Sequence, residues 1–283
     1  MLNIFKKRNT TPQNDLQSIL GGYELPSFPA TVMNVLTALR DPDFSMTSVA
    51  KQLEGDPGLH VKILKTVNSS AFGLTTRVMN LHRAVALLGR SRLETIVLSQ
   101  AVHSVLPNVD MPYFNMKEFW HSAAKRASLA RVLALHLHPA TQIESFTSGL
   151  LQDMALPILI TVKPKEYSNI FERWKCSREI SFNKLEIETI GFDHSTTGAL
   201  IAKEWGLPEY LINAILYHHI ENKNIDVEPA IVIVSHIRDN YDENIVDKLV
   251  ELCTQKYGMD AEKVVLITKT ALENAEEFSQ MLA

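Results

Sequence analysis

Cysteine is scarce: Cys176 and Cys253 are the only two, far apart and without metal-ligand spacing, so neither a disulfide framework nor a cysteine metal cage is expected. Excess positive charge is missing as well. The chain has 28 Lys and Arg against 32 Asp and Glu, a formal net charge of -4 and a pI near 6.2. Nothing global therefore draws it to nucleic acid or to an anionic membrane. No stretch approaches the roughly 20 apolar residues that span a bilayer, and the opening "MLNIFKKRNTTPQND" lacks the apolar centre of a signal peptide. These absences lead us to expect a cytoplasmic protein with reduced thiols. Alternating apolar and polar runs, internal repeats and low-complexity segments are absent too, which argues against sheet-rich and solenoid folds. The remainder is an ordinary globular composition, 46% hydrophobic and 21% charged, at 283 residues enough for one large domain or two small ones.

From Pro29 onward apolar residues recur at spacings of three and four, as in "ATVMNVLTALR", "MTSVAKQLE" and "GLHVKILKTVNSSAF". The pattern predicts an all-α fold. Asp56 followed by Pro57 fits an N-cap and first turn, Asn80 caps the helix in "LHRAVALLG", and Gly89 ends it. Ser91 and Glu94 have capping-box spacing. Pro107, Asp110 and Pro112 interrupt the periodicity and suggest a boundary. Beyond it come helices near "KEFWHSAAKRASLARVLALHLH", "YSNIFERWKC" and "PAIVIVSHIRDNY", then two amphipathic helices near 243–257 and 260–281 flanking Gly258. Trp205 with "GLPE" reads as a helix end, a turn and a new start at Pro208. Residues 1–22 read as a mobile tail, poor in apolar anchors.

Polar groups stand out in this apolar setting. Asp153, beside Gln152 in "GLLQDMALPIL", then His194, the pair His218 and His219, and Asp239 all lie in apolar helical surroundings. Imidazoles and carboxylates on separate helices can converge on one metal, or on a pair that activates water for phosphoester hydrolysis. Taken singly, each is more often a hydrogen-bonded core group than a ligand. Arg83, Arg90 and Arg92 read as solvated surface. His60, His103, His136 and His138 have no partner identifiable from sequence, and "NSSAFGL" around Asn68 reads as a helix end and turn.

Longer stretches carry a family resemblance. "LPSFPATVMNVLTALRDPDFSMTSVAKQLEGDPGLHVKILKTVNSSAFGL" with "NLHRAVALLGRSRLETIVLS", followed by "SGLLQDMALPIL", "FDHSTTGALIAKEWGLPEYLINAILYHH" and "SHIRDNY", resembles the HDOD family, the HD-related output domain of bacterial signalling proteins. The likeness covers roughly residues 23–245. It implies two packed helical bundles: an N-terminal helical subdomain over 23–107 and, over 108–245, a second built like an HD-type metal phosphohydrolase, with C-terminal helices over 246–283. Active HD enzymes hold metal with an early His, a His-Asp doublet, later His residues and a final Asp. Laid on this chain, the doublet's Asp is Asp153, its His position is Gln152, and the final Asp is Asp239. The later imidazoles correspond to His194 and to His218 or His219. The early position falls on Ser122 rather than His121, and neighbouring helix positions point about 100° apart.

A neutral amide at position 152 is a poor substitute for imidazole at a transition metal. The resemblance therefore implies a degenerate HD pocket of Gln152, Asp153, His194, His218, His219 and Asp239, with no catalytic residue, no cofactor and no metal expected. If a metal binds, its ligands would be Asp153, His194, His219 and Asp239. The implied function is a non-catalytic signalling output module that binds signalling proteins or a small ligand, with a homo-oligomer compatible with its apolar C-terminal helix faces. Two alternatives are an HD-type phosphohydrolase acting on a nucleotide or cyclic dinucleotide through an altered metal site, and a sensor that holds a nucleotide without cleaving it.

Overall fold

The structure, a computed structural model, describes residues 12–41, 43, 45–68, 76–176, 180–220, 227–237 and 245–282. The fold is all-α. Among the described residues the only strands are β1 (Asp110–Met111) and β2 (Phe114–Asn115), paired antiparallel through Asp110 with Asn115 and Met111 with Phe114. They fall where Pro107, Asp110 and Pro112 had suggested a boundary, and the turn was not expected to be a hairpin.

The helices run in order as α1 (Pro12–Leu20), α2 (Ala30–Arg40), α3 (Met46–Glu54), α4 (Pro57–Val67), α5 (Leu81–Val105), α6 (Met116–Leu137), α7 (Gln142–Leu151) and α8 (Ala155–Val162). Then follow α9 (Pro164–Cys176), α10 (Phe182–Ile190), α11 (His194–Glu204), α12 (Glu209–Tyr217), α13 (Pro229–Ser235), α14 (Ile245–Tyr257) and α15 (Ala261–Leu282). Local chemistry sets their ends. The Asp56 carboxylate accepts the Leu59 N–H at the start of α4, with Pro57 in the first turn where its missing N–H costs nothing. Asn80 caps α5 through the Arg83 N–H. Gly89, with φ 69° and ψ 176°, breaks α5 into two pieces. Asn68 closes α4 with its side-chain amide on the carbonyls of Leu64 and Val78, while its Oδ1 accepts the Val78 N–H; the rest of "NSSAFG" lies outside the described residues.

The chain divides into two compact units, each assembled from three stretches: Met1–Ser27, Leu106–Met116 and Gln152–Val227 in the first, Phe28–Val105, Lys117–Leu151 and Glu228–Ala283 in the second. The ranges drawn from the sequence ran in order along the chain, whereas these units interleave. In the first unit α11 is the central helix. It packs on α12, α8, α1 and α10, and every residue from His194 to Ala202 except Thr196 is buried. Gly198 makes this possible: a Cβ there would lie 2.8 Å from Ile215 Cγ2. Each fully buried Leu or Ile on these faces contributes about 1.5–3 kcal/mol.

In the second unit the latter half of α5 has the same role, with Leu93 and Thr95 through Val102 all buried. Across it Thr95 and Thr147 share a hydroxyl hydrogen bond of 2.7 Å. Cys176 and Cys253 are both free thiols. One stretch, Pro139–Val162, is long and apolar enough to cross a membrane by length and composition, yet 78% of its apolar window is buried inside the protein.

Candidate metal centre

The first unit brings four of the residues singled out from sequence to one point. Asp153 lies in the turn leading into α8, where its carbonyl accepts the Leu156 N–H. His194 is the first residue of α11, set there by Asp193, whose carboxylate caps the helix through the Thr196 N–H at 2.8 Å. His218 and His219 follow the last turn of α12. One ligand atom from each of Asp153, His194, His218 and His219 lies within 4.8 Å of the others.

The contacts within the cluster are closer than ordinary packing. His194 Nε2 is 3.3 Å from His218 Nε2, 3.0 Å from His219 Nε2 and 3.4 Å from Asp153 Oδ1, while His218 Nε2 is 3.2 Å from the same oxygen. A ring nitrogen offers one N–H or one lone pair, so a proton on His194 Nε2 cannot serve three neighbours well. A single cation can. Four ligands at the roughly 2.0–2.1 Å usual for zinc define a tetrahedron with edges of about 3.3 Å, and the four separations given above sit close to that edge. The donor set, three imidazole nitrogens and one carboxylate oxygen, suits zinc and its borderline neighbours rather than magnesium or calcium. The residues therefore fit one divalent cation.

Two of the rings are locked from behind. His218 Nδ1 donates to the Ile215 carbonyl at 2.7 Å, which leaves Nε2 to face the cluster. His194 Nδ1 donates to Glu186 Oε2 at 2.5 Å, and the same oxygen accepts the His194 backbone N–H at 3.0 Å. Glu186 Oε1 accepts the Tyr167 hydroxyl at 2.5 Å. Both Glu186 and Tyr167 are fully buried.

The electrostatics follow from this packing. Burial by itself pushes the His194 imidazolium down, but the Glu186 carboxylate at Nδ1 and Asp153 beyond Nε2 overcome it and hold the pKa well above the ordinary histidine value. Burial also raises Asp193, but His194 and the donors of Thr196 and Ser195 outweigh it and leave the carboxyl below its usual range. Burial first, then the Glu186 charge, push the Tyr167 hydroxyl well above the ordinary tyrosine value, so it remains a donor.

Other sequence candidates fall elsewhere. Gln152 is buried, with its Oε1 lacking a hydrogen-bond partner among the described residues. Asp239 lies outside the described residues. Ser122 is buried, its hydroxyl without a partner among the described residues, while His121 turns to α15, 3.2 Å from Ser279 Oγ. His103 stacks on Trp120 with ring centroids 4.9 Å apart, and His138 contacts Thr141 Oγ1 at 2.7 Å. The sequence left His218 and His219 as alternatives, and the structure brings in both.

Glu186 and Tyr167 were missed. The available signal was weak: in "LEIETI" the isoleucine at 187 is half exposed while Glu186 beside it is fully buried, an inversion that periodicity alone does not reveal.

Comparison with known proteins agrees with the fold. The HDOD domain family model matches residues 25–221. An uncharacterized protein of Treponema pallidum (strain Nichols) is 26% identical over 197 residues, which are 69% of this chain and 38% of the relative. The chain thus spans well under half the length of that protein. Among solved structures, an HDOD domain protein of unknown function from Geobacter sulfurreducens aligns with a TM-score of 0.73 at 20% identity, over 96% of this chain and 99% of that one. A structure named "Putative phosphohydrolase" from Shewanella amazonensis SB2B aligns with a TM-score of 0.75 at 22% identity, over 95% and 98%. At these identities the likeness concerns the fold. With the family model covering more than half of its length, the chain belongs to the HDOD family.

Proposed function

We propose that this HDOD chain is a non-catalytic output module of bacterial signal transduction, whose HD-type pocket is kept as a closed seat for one divalent cation. One observation carries the reading: Asp153, His194, His218 and His219 already supply four donors. Catalytic zinc centres keep three protein ligands and leave the fourth position for water or substrate, whereas structural centres are closed. The amide of Gln152 in the doublet's His place removes an anchor that a metal pair needs. The module then works by binding a signalling protein or a small ligand, with the cation holding α8, α11 and the end of α12 in one arrangement.

A second reading, hydrolysis of a nucleotide or cyclic dinucleotide, draws on the name of the Shewanella amazonensis relative and on the partial exposure of His219 and Asp153, ligands with room to swing aside. The experiment is elemental analysis of protein purified without tag or chelator, with hydrolysis of bis(p-nitrophenyl) phosphate and cyclic dinucleotides followed on the same sample. We expect one equivalent of a zinc-class metal and no turnover. Turnover that disappears in His194→Ala would replace this reading with the enzymatic one.

A further inference from the structure

Glu186 is a glutamate with no access to water, and among the described residues it forms no ion pair with Lys or Arg. It accepts three hydrogen bonds instead: the Tyr167 hydroxyl on one oxygen, and the ring and backbone N–H of His194 on the other. The grip is double. The backbone bond fixes where His194 begins α11, and the ring bond fixes how the imidazole is turned. Together they determine where Nε2 sits, and Nε2 has the other three ligand atoms of the cluster around it. Tyr167, on α9, prevents the carboxylate from rotating away.

Charge points the same way. Asp153 and Glu186 place two carboxylates at a buried centre whose other ligands are neutral imidazoles when a metal is bound, and the buried Asp193 adds a third beside His194. This much negative charge in a low-dielectric interior favours a divalent cation over a monovalent one. Carboxylate–histidine–metal arrangements of this kind orient the ring and strengthen it as a donor.

The geometry points to Glu186, held by Tyr167, as the positioning residue of the cation centre, one that fixes the His194 tautomer and tunes affinity for a divalent zinc-class ion. This rests on the reading of the pocket as a cation site. The test uses the full-length chain, stripped of metal, and measures Zn(II) and Co(II) affinity by competition with a chromophoric chelator. Wild type, Glu186→Gln, Tyr167→Phe and His194→Ala are compared, with circular dichroism and melting of each metal-free protein.

We expect wild type to take up one equivalent and Glu186→Gln to bind roughly 10–100-fold more weakly. Tyr167→Phe, which keeps the ring packing and so guards against a folding failure at position 186, should lose affinity in the same direction by a smaller factor. The d–d absorption of the cobalt form should change shape in Glu186→Gln, which a purely structural role would not produce. If Glu186→Gln and Tyr167→Phe melt lower but bind Zn(II) and Co(II) with unchanged affinity and spectrum, the positioning role is overturned and Glu186 is structural. If wild type itself binds no cation and matches His194→Ala, the cation reading fails and takes the inference with it.

Discussion

Trp205 donates its indole N–H to the carbonyl oxygen of Pro26 at 2.9 Å, joining positions 179 residues apart within the first unit. The indole is almost entirely buried at the C-terminus of α11, so the bond anchors the segment ahead of α2 to the helix that carries His194. Trp205→Phe keeps an aromatic ring but removes the donor. We expect a loss of about 1–3 kcal/mol, read as a lower urea midpoint at unchanged slope. An unchanged midpoint would mean that this bond contributes nothing to stability.

Asp153 stands between two imidazoles, with Oδ1 3.4 Å from His194 Nε2 and 3.2 Å from His218 Nε2. In chelator-treated protein Asp153→Ala leaves both rings facing an empty space. A drop of about 1–3 kcal/mol is expected. Differential scanning calorimetry of the metal-free forms decides it, and equal melting temperatures would remove the carboxylate from any structural role.

Gly149 is where α7 lies directly against α6. A Cβ there would come within 3.0 Å of the Arg126 carbonyl oxygen, 3.1 Å of Ala130 Cβ and 3.2 Å of Ala127 Cα. These are backbone and near-backbone atoms that cannot rotate aside. Overpacking costs about 1–3 kcal/mol, more than the roughly 0.5–1 kcal/mol that alanine gains over glycine within a helix. Gly149→Ala should therefore melt below wild type, and a higher melting temperature would contradict the close approach.

His138 gives a pH dependence. Burial lowers its pKa from the ordinary histidine value, and Glu228, 3.3 Å away, offsets only part of that. The fold thus favours the neutral ring, whose Nε2 accepts the Ala230 N–H. Because the folded pKa lies below the unfolded one, the contribution to stability is present above about pH 6.5 and is lost as the pH falls through the folded pKa. His138→Gln should flatten the acid side of a plot of unfolding midpoint against pH. An unaltered acid limb would place the sensitivity elsewhere.

Much of the architecture was legible because it is local. Asp56 with Pro57, Asn80, Gly258 and the "WGLP" turn mark helix ends through caps and backbone angles that depend on a few neighbouring residues. The ligands were legible as residue types: Asp153, His194, His218 and His219 are polar groups inside apolar helical stretches. What lay behind them was not. Glu186 reads as an ordinary surface glutamate on an amphipathic helix until Tyr167 and His194 are seen to enclose it, and that enclosure is tertiary. The β1–β2 hairpin escaped for a different reason: two-residue strands carry too little alternation to stand out from a turn.

The interleaving of the two units bears on how the chain is made. From one end to the other the polypeptide passes between units five times. During synthesis the first unit lacks its last portion until about residue 227 has emerged, and the second until the C-terminus is free. Neither can be finished on the ribosome before the other is well under way, so the two must mature together rather than as a leading domain followed by a trailing one. No single cut separates the units: even a cut after residue 227, which leaves the first unit whole, keeps two of the second unit's three stretches attached to it.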